Sequence, residues 1–195
     1  MIGLPQQTCH SVMETIDYCG QLMERWRTQR KVYPFISPLA PFLDPGSLAF
    51  EQPERHGYRI LFRSLEEHRR ALLSPSWKYM LNYETKWLSR EEIVASTYEG
   101  GLKLNHLKAR YGLIPVSTAQ ATERRALAAL EMMQRIDCII AQGDDLRRDE
   151  ELRRIKAEVD ELSMSTVCEK RELELPVGLL KLNPLRAAWA LLWER

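Results

Sequence analysis

The feature that most constrains the fold is a pair of long amphipathic helix patterns joined by a very short link. The first pattern begins at the capping box Ser89-Arg-Glu-Glu92 and ends at Gly112, and the second begins at Ser117 and ends at Gly143. Capping boxes and glycine stops mark where such helices begin and end. Two amphipathic helices with so short a connection pack antiparallel. The sequence therefore predicts a helical hairpin over residues 89–142.

The opening stretch predicts a tight turn from a strand into a helix. It reads Met-Ile-Gly-Leu-Pro-Gln-Gln-Thr, in which Gly3 permits unusual backbone angles and Pro5 cannot extend a strand ladder. A helix over residues 8–30 is expected to follow, capped by Thr8 or by Ser11. Because a strand that ends here would lack partner strands, we expect that Met1 is an internal start and that the chain is the rear part of a longer protein.

Two segments carry a resemblance to a known family. The residues Ile2-Gly3-Leu4-Pro5, followed by Thr8, Ser11, Glu14 and Thr15, resemble the G-L-P-G-E/Q-T…S…T turn late in the barrel of radical S-adenosylmethionine (radical SAM) enzymes. Gln6 stands where that family often has its second glycine. Residues 33–46 are similar to a segment downstream of the barrel in members that also carry a cobalamin-binding domain. Together the two segments cover about the first quarter of the chain.

The resemblance implies that this chain is the C-terminal portion of a radical SAM enzyme. It implies S-adenosylmethionine and a [4Fe–4S] cluster as cofactors, and cobalamin in the branch with that domain. Gly3, Leu4 and Pro5 are the positions that it places on the S-adenosylmethionine side. The chain would close the barrel and cover the substrate side.

The cluster ligands are not expected from this chain. Its cysteines, Cys9, Cys19, Cys138 and Cys168, are too far apart in sequence for a C-x₃-C-x₂-C loop, and a [4Fe–4S] cluster needs closely placed thiolates. The ligands would come from a missing N-terminal half or from a separately encoded cluster-bearing subunit. We therefore do not expect this chain to be active alone.

The remaining patterns predict a mainly α chain with a few short strands. Short strands are expected at 31–36 and 58–62, separated by a proline-rich arm, and a capping box at Ser64 predicts a helix to Leu73. The aromatic-rich window 77–87 is predicted to be a helix or turn that buries its rings. A charged helix is expected at 144–164 and a last helix after Asn183.

These predictions combine into an architecture of two parts. Residues 1–63 are expected to form the last βα units of a partial (β/α) barrel with its proline-rich arm, and residues 64–195 a C-terminal helical region. From sequence alone, slow amide exchange is expected in the helices of the hairpin, and fast exchange in residues 1–7 and 37–57.

The amino-acid composition limits which classes of binding partner are expected. Lys and Arg number 28 and Asp and Glu 27, so no net charge favours binding to nucleic acid or to an anionic membrane. Four cysteines without a pattern are typical of reduced thiols in a cytoplasmic protein. No H-E-x-x-H, P-loop or G-x-S-x-G motif occurs. We expect a cytoplasmic protein with neither nucleic acid nor membrane as a partner.

One alternative stays open at the level of sequence. The hairpin and the charged helix after it could form a self-sufficient, non-catalytic helical protein-interaction module. Neither hypothesis uses six residues whose side chains could bind a ligand. They are Cys9 and His10 in the first turn of a helix, His56 and His68, and the lysines Lys78 and Lys86 beside aromatic rings. Each is also explained as an ordinary surface or core residue.

Overall fold

A computed structural model describes residues 1–29, 32–36, 43–141 and 145–161 of the chain. The described part is mainly helical and contains one small two-stranded sheet. The helices are α1 (Cys9–Arg25), α2 (Leu48–Glu51), α3 (Leu65–Leu72), α4 (Trp77–Met80), α5 (Arg90–Arg110), α6 (Val116–Ala141) and α7 (Asp145–Glu161), and the strands are β1 (Tyr58–Ile60) and β2 (Tyr83–Thr85). A short 3₁₀ turn, Glu54–His56, precedes β1.

Helix α1 begins at Cys9, so Thr8 rather than Ser11 is the cap. The Thr8 side chain accepts from the Ser11 amide at 3.2 Å, and the Ser11 hydroxyl accepts from the Thr8 amide at 2.9 Å. This reciprocal pair satisfies two amides that the first turn leaves without helical partners. The helix ends at Arg25 rather than at residue 30. Its buried face carries Val12, Ile16, Gly20 and Met23.

Helices α1 and α5 pack closely because α5 carries glycine where they meet. A Cβ placed on Gly100 would lie 2.6 Å from Cδ1 of Ile16 and 2.7 Å from Cδ1 of Ile36. Gly20 on α1 also faces α5, where a Cβ would lie 3.3 Å from Leu107, a tight but less severe contact. Glycine in a helix interior costs about 1 kcal/mol relative to alanine, so its use here reflects the packing.

The strand prediction was partly correct. Strand β1 forms within the predicted range 58–62, whereas residues 32–36 form no strand. Strand β2 lies in the window predicted as a helix or turn, of which only α4 is helical, so that prediction was wrong for Tyr83–Thr85. The strands pair antiparallel, with Tyr58 opposite Thr85 and Ile60 opposite Tyr83.

The predicted helical hairpin is present as α5 and α6. Ser89 and Glu92 form the expected capping box, and Gly112 follows α5 with a φ of 72°. The side-chain Nδ2 of Asn105, near the end of α5, donates to the carbonyl of Ala119, near the start of α6, at 2.8 Å. That contact joins the end of one helix to the start of the next, as antiparallel packing requires.

One hydrophobic core joins the opening segment to α5 and α6. Its buried members come from both of the parts predicted from sequence, 1–63 and 64–195. They include Ile2, Val12, Ile16, Ile36, Leu43, Leu81, Tyr83, Ile93, Val94 and Ala126. The predicted last helix after Asn183 lies outside the described residues. Within the described ranges, every helix is too short or too polar to cross a lipid bilayer.

Candidate functional site

The opening turn contains both positions at which the resembled motif has glycine. Gly3 has a φ of 91° and Gln6 a φ of 63°. Gln6 is the one residue other than glycine with a positive φ in the described part of the chain. That region of backbone space is unfavourable for residues with a Cβ and is readily adopted by glycine. Position 6 thus keeps the conformation of a glycine although the residue is glutamine.

Two amides of the turn converge on one oxygen. The amides of Gly3 and Leu4 donate to Oε1 of Gln7 at 2.9 and 3.2 Å, and Nε2 of Gln7 donates back to the carbonyl of Met1 at 3.1 Å. Successive amides that point to one atom form the kind of concavity that holds anions and oxygen acceptors. In this structure the acceptor is the chain's own glutamine.

The three predicted cofactor-side residues differ in exposure. Gly3 is buried, Leu4 is half-buried and Pro5 is exposed. A Cβ on Gly3 would lie 2.7 Å from the hydroxyl oxygen of Tyr83, so glycine is required by packing as well as by φ. Tyr83 is fully buried and meets the Tyr58 ring edge-on, with centroids 5.5 Å apart. Strand β2 therefore forms the inner wall of the turn.

The segment around β2 also contacts the proline-rich arm at Leu43. The amide of Leu43 donates to Oδ1 of Asn82 at 2.7 Å, and Nδ2 of Asn82 donates to the carbonyl of Leu43 at 3.1 Å. The carbonyl of Asn82 accepts from the amide of Leu61 at 2.7 Å. Asn82 is fully buried, so it satisfies two backbone groups that water cannot reach.

Glu84 ties β2 to its neighbours on two sides. Its carboxylate pairs with the guanidinium of Arg59 on β1 and accepts from the Arg90 amide at the start of α5 at 3.1 Å. Burial raises the pKa of Glu84, but the hydrogen bonds from Arg59 and from the Arg90 amide outweigh burial, so the pKa lies below its usual range. Glu84 is therefore held as a carboxylate.

A second polar cluster joins α4 to the far end of the hairpin. Lys78 donates to Oδ2 of Asp137 at 2.9 Å, and the Tyr79 hydroxyl donates to Oδ1 of the same carboxylate at 2.6 Å. Glu91 lies 3.6 Å from the Lys78 ammonium. Burial, followed by the bond to Asp137, raises the pKa of Tyr79 well above its usual range. The cluster fixes α6 to α4, and it leaves the Lys78 ammonium mostly buried, 5.4 Å from the centroid of the Tyr79 ring.

The described residues do not fit a [4Fe–4S] cluster. Cys9 and Cys138 are exposed and Cys19 is half-buried, and burial raises the pKa of the Cys19 thiol, which disfavours the thiolate that binds metal. Among the described residues, no three His, Cys, Asp or Glu side chains are grouped as a metal site. Cys168 lies outside those residues. The Gly3 and Leu4 amides, which would face S-adenosylmethionine, already have Gln7 as acceptor.

The histidine candidates have ordinary surroundings. His68 packs edge-on against Phe62 with centroids 4.9 Å apart, and His10 lies 3.4 Å from Glu14 on the exposed face of α1. The polar residues that the structure brings to β2, Asn82 and Glu84, were not singled out from sequence. Their only sequence signature is a short run between two capped helices, which does not show which backbone groups they reach.

The comparisons with known proteins found no relative of this chain. No protein-family model, curated protein or solved structure matches the chain. The functional assignment therefore depends on the geometry of the opening turn and on the resemblance of its residues.

Proposed function

We propose that this chain is the C-terminal part of a radical SAM enzyme, in which it closes a partial (β/α) barrel and covers the substrate side. The observation that carries the proposal is the positive φ at both Gly3 and Gln6, since these are the two positions at which the resembled turn has glycine. The cofactors, S-adenosylmethionine and a [4Fe–4S] cluster, would start the radical chemistry. The cluster would be held by a portion of protein other than the described residues.

The surroundings of α1 support the same proposal. Ile2 lies directly before the turn and Ile36 lies after α1, and both side chains are buried in the core that α1 covers. In a βα unit, too, the segment next to the helix is buried beneath it, although residues 32–36 form no strand here. In this reading α1 is the outer helix of the unit, and β2 occupies the side of the turn opposite the solvent.

The chain's own residues would act by shape and by exclusion of water. Tyr83 fills the space behind Gly3, and the Asn82 contacts hold Leu43 and its neighbours against the core. Loops placed by such a scaffold are where barrel proteins carry binding residues. The segment that resembles the cobalamin-containing branch includes Leu43, which Asn82 thereby holds next to β2.

The test begins with the genomic sequence upstream of Met1. An in-frame or neighbouring C-x₃-C-x₂-C motif is expected, and the combined protein, reconstituted with iron and sulfide, should cleave S-adenosylmethionine reductively. Gly3→Val should abolish that cleavage while iron content stays unchanged, because its Cβ meets Tyr83. The matched control is Gly46→Val, which also has a positive φ of 84° but has no atom within 4 Å of its Cβ.

Two results would overturn the proposal. One is upstream sequence without any such cysteine motif, in frame or in a neighbouring gene. The other is a combined protein whose cleavage of S-adenosylmethionine and substrate turnover are unchanged when residues 1–195 are deleted.

A non-catalytic helical interaction module is the second candidate, favoured by the continuous core. Because Ile2, Leu43 and Ile93 share one core, the chain has the packing expected of a unit that folds by itself. This candidate predicts that residues 1–195 alone are monodisperse and unfold in one cooperative transition without any cofactor. Aggregation of the isolated chain, with rescue by a cluster-bearing partner, would exclude it in favour of the enzyme fragment.

A further inference from the structure

A shallow groove outside the opening turn is lined by more cations than anions. Two adjoining depressions of about 550 and 460 Å³ lie along β1 and the 3₁₀ turn, and Arg63 lines both of them. The larger one is lined by Arg59, Lys86 and the half-buried Ile60, and by Tyr58, whose side chain is buried in the core. The volumes fall in the range of small-molecule sites.

The charges of this groove differ from those of the chain as a whole. Four cations line it, Arg55, Arg59, Arg63 and Lys86, against the two carboxylates of Glu51 and Glu54. The whole chain has 28 cations and 27 anions. The groove is therefore a local excess of positive charge on a nearly neutral protein, which favours a small anion over a polyanion such as nucleic acid.

The four cations differ in their partners. Arg59 is neutralised by Glu84, and Arg55 donates to the neutral side chain of Gln52 at 3.2 Å. The Arg63 guanidinium instead lies over the Phe50 ring, 5.2 Å from its centroid. Within the described ranges, neither Arg63 nor Lys86 has a carboxylate at ion-pair distance. Both charges are therefore available to a ligand.

We propose that this groove binds a small organic phosphate, with Arg63 and Lys86 on the phosphate and the half-buried Ile60 beside the organic part. Stacking on Phe50 restricts the Arg63 guanidinium while leaving its N–H edges exposed, and a planar guanidinium matches phosphate oxygens in pairs. Lys86 adds a point charge from the turn after β2. The inference concerns a surface other than the opening turn and does not depend on the proposed function.

The test titrates the full chain with adenosine diphosphate and with pyrophosphate by calorimetry, at constant ionic strength set with sodium chloride. Saturable binding of both is expected. Arg63→Gln and Lys86→Gln should each weaken it about tenfold, since each removes a charge-assisted contact. Arg27→Gln removes an exposed arginine outside the groove and should leave the affinity unchanged. Amide NMR shifts should change at residues 58–63 and 86.

A variant that is expected to bind more tightly separates the loss of a contact from misfolding, because a misfolded protein would not gain affinity. Glu54→Gln removes a lining carboxylate that repels phosphate and should tighten binding by about threefold. The proposal is overturned if pyrophosphate does not saturate, if Arg27→Gln weakens binding as much as Arg63→Gln does, or if adenosine without phosphate binds as tightly as adenosine diphosphate.

Discussion

The hairpin α5–α6 and the segment around β2 are held in place by different kinds of interaction. The hairpin is built from residues close in sequence, with a capping box at Ser89 and a glycine stop at Gly112. The β2 segment is held by buried polar groups, of which Asn82 reaches Leu43 across 39 positions and Glu84 reaches Arg59 across 25. Local pattern thus specifies the first region, and distant polar contacts specify the second.

This difference decides which residues each region can lose. In the hairpin, the helical turns on either side of a lost contact keep their own packing, from which most of the stability of the helices comes. At β2, a lost side chain leaves a buried backbone group without any partner, which costs more than the hydrogen bond itself contributed. The four predictions below test this contrast.

Replacing Asn82 with alanine should have the largest effect. It leaves the buried amide and carbonyl of Leu43 without partners, and we expect a loss of about 3 kcal/mol in the free energy of unfolding. Asn105→Ala is the matched change in the hairpin, where one bond to Ala119 is lost, and should cost about half as much. Denaturant unfolding of both variants measures this, and equal losses would contradict the contrast.

Gly100→Val tests the contact through which α1 joins the hairpin. Its side chain would overlap Ile16 and Ile36, so we expect a loss of about 2 kcal/mol. The neighbouring Gly101→Val is the control, because its Cβ would lie at an ordinary 3.5 Å from Ile36. Thermal unfolding should show a clear drop for the first variant and little change for the second. A similar drop in both would mean that α1 does not pack as described.

Glu84 should make the stability of the β2 segment depend on acid pH. A carboxylate whose pKa is lowered on folding contributes stability that is present above its unfolded pKa, near 4.5, and is lost as the pH falls through the folded value. Glu84→Gln and Arg59→Gln should both flatten the fall in unfolding free energy below about pH 4.5. Arg27→Gln should keep the slope of the unchanged protein, and a slope that Glu84→Gln leaves unaltered would refute the assignment.

Gln6→Gly should have the smallest effect and the opposite sign. Glycine adopts the φ of 63° without a Cβ clash, so we expect a gain of about 0.5 to 1 kcal/mol. The gain is reduced by the greater freedom of glycine in the unfolded chain. Gln29→Gly, at an exposed position outside the opening turn, should not stabilise. A Gln6→Gly variant less stable than the parent would show that position 6 does not need a left-handed conformation.

The parts predicted correctly from sequence are those fixed by short-range chemistry. The capping boxes at Ser64 and Ser89, the antiparallel hairpin and the strand at 58–60 follow from local residue types and spacing. Strand β2 was missed because its burial comes from distant partners, so its three residues show no alternation of polar and apolar types. The strand expected at 31–36 lacks a described partner strand for residues 32–36, and propensity alone does not form a ladder.

The candidate site was predictable only in part. The residues Gly3, Leu4 and Pro5 were identified from a motif, and the left-handed φ at Gly3 follows from glycine itself. The same φ at Gln6 and the Gln7 side chain in the turn depend on contacts with Met1 and with the backbone, which no spacing rule describes. Asn82 and Glu84 could be recognised only once the fold had brought Asn82 to Leu43 in the arm, and Glu84 to Arg59 and the start of α5.

Native-state amide exchange tests the central claim most directly, namely that β2 joins the opening segment and the hairpin into one cooperative unit. The structure predicts that the amides of Leu43 and Leu61, held by Asn82, open with a free energy within about 1 kcal/mol of the slowest α5 amides. The sequence alone predicts fast exchange throughout residues 37–57. Exchange at Leu43 a hundredfold or more faster than in α5 would contradict the account and leave the hairpin as a separate folding unit.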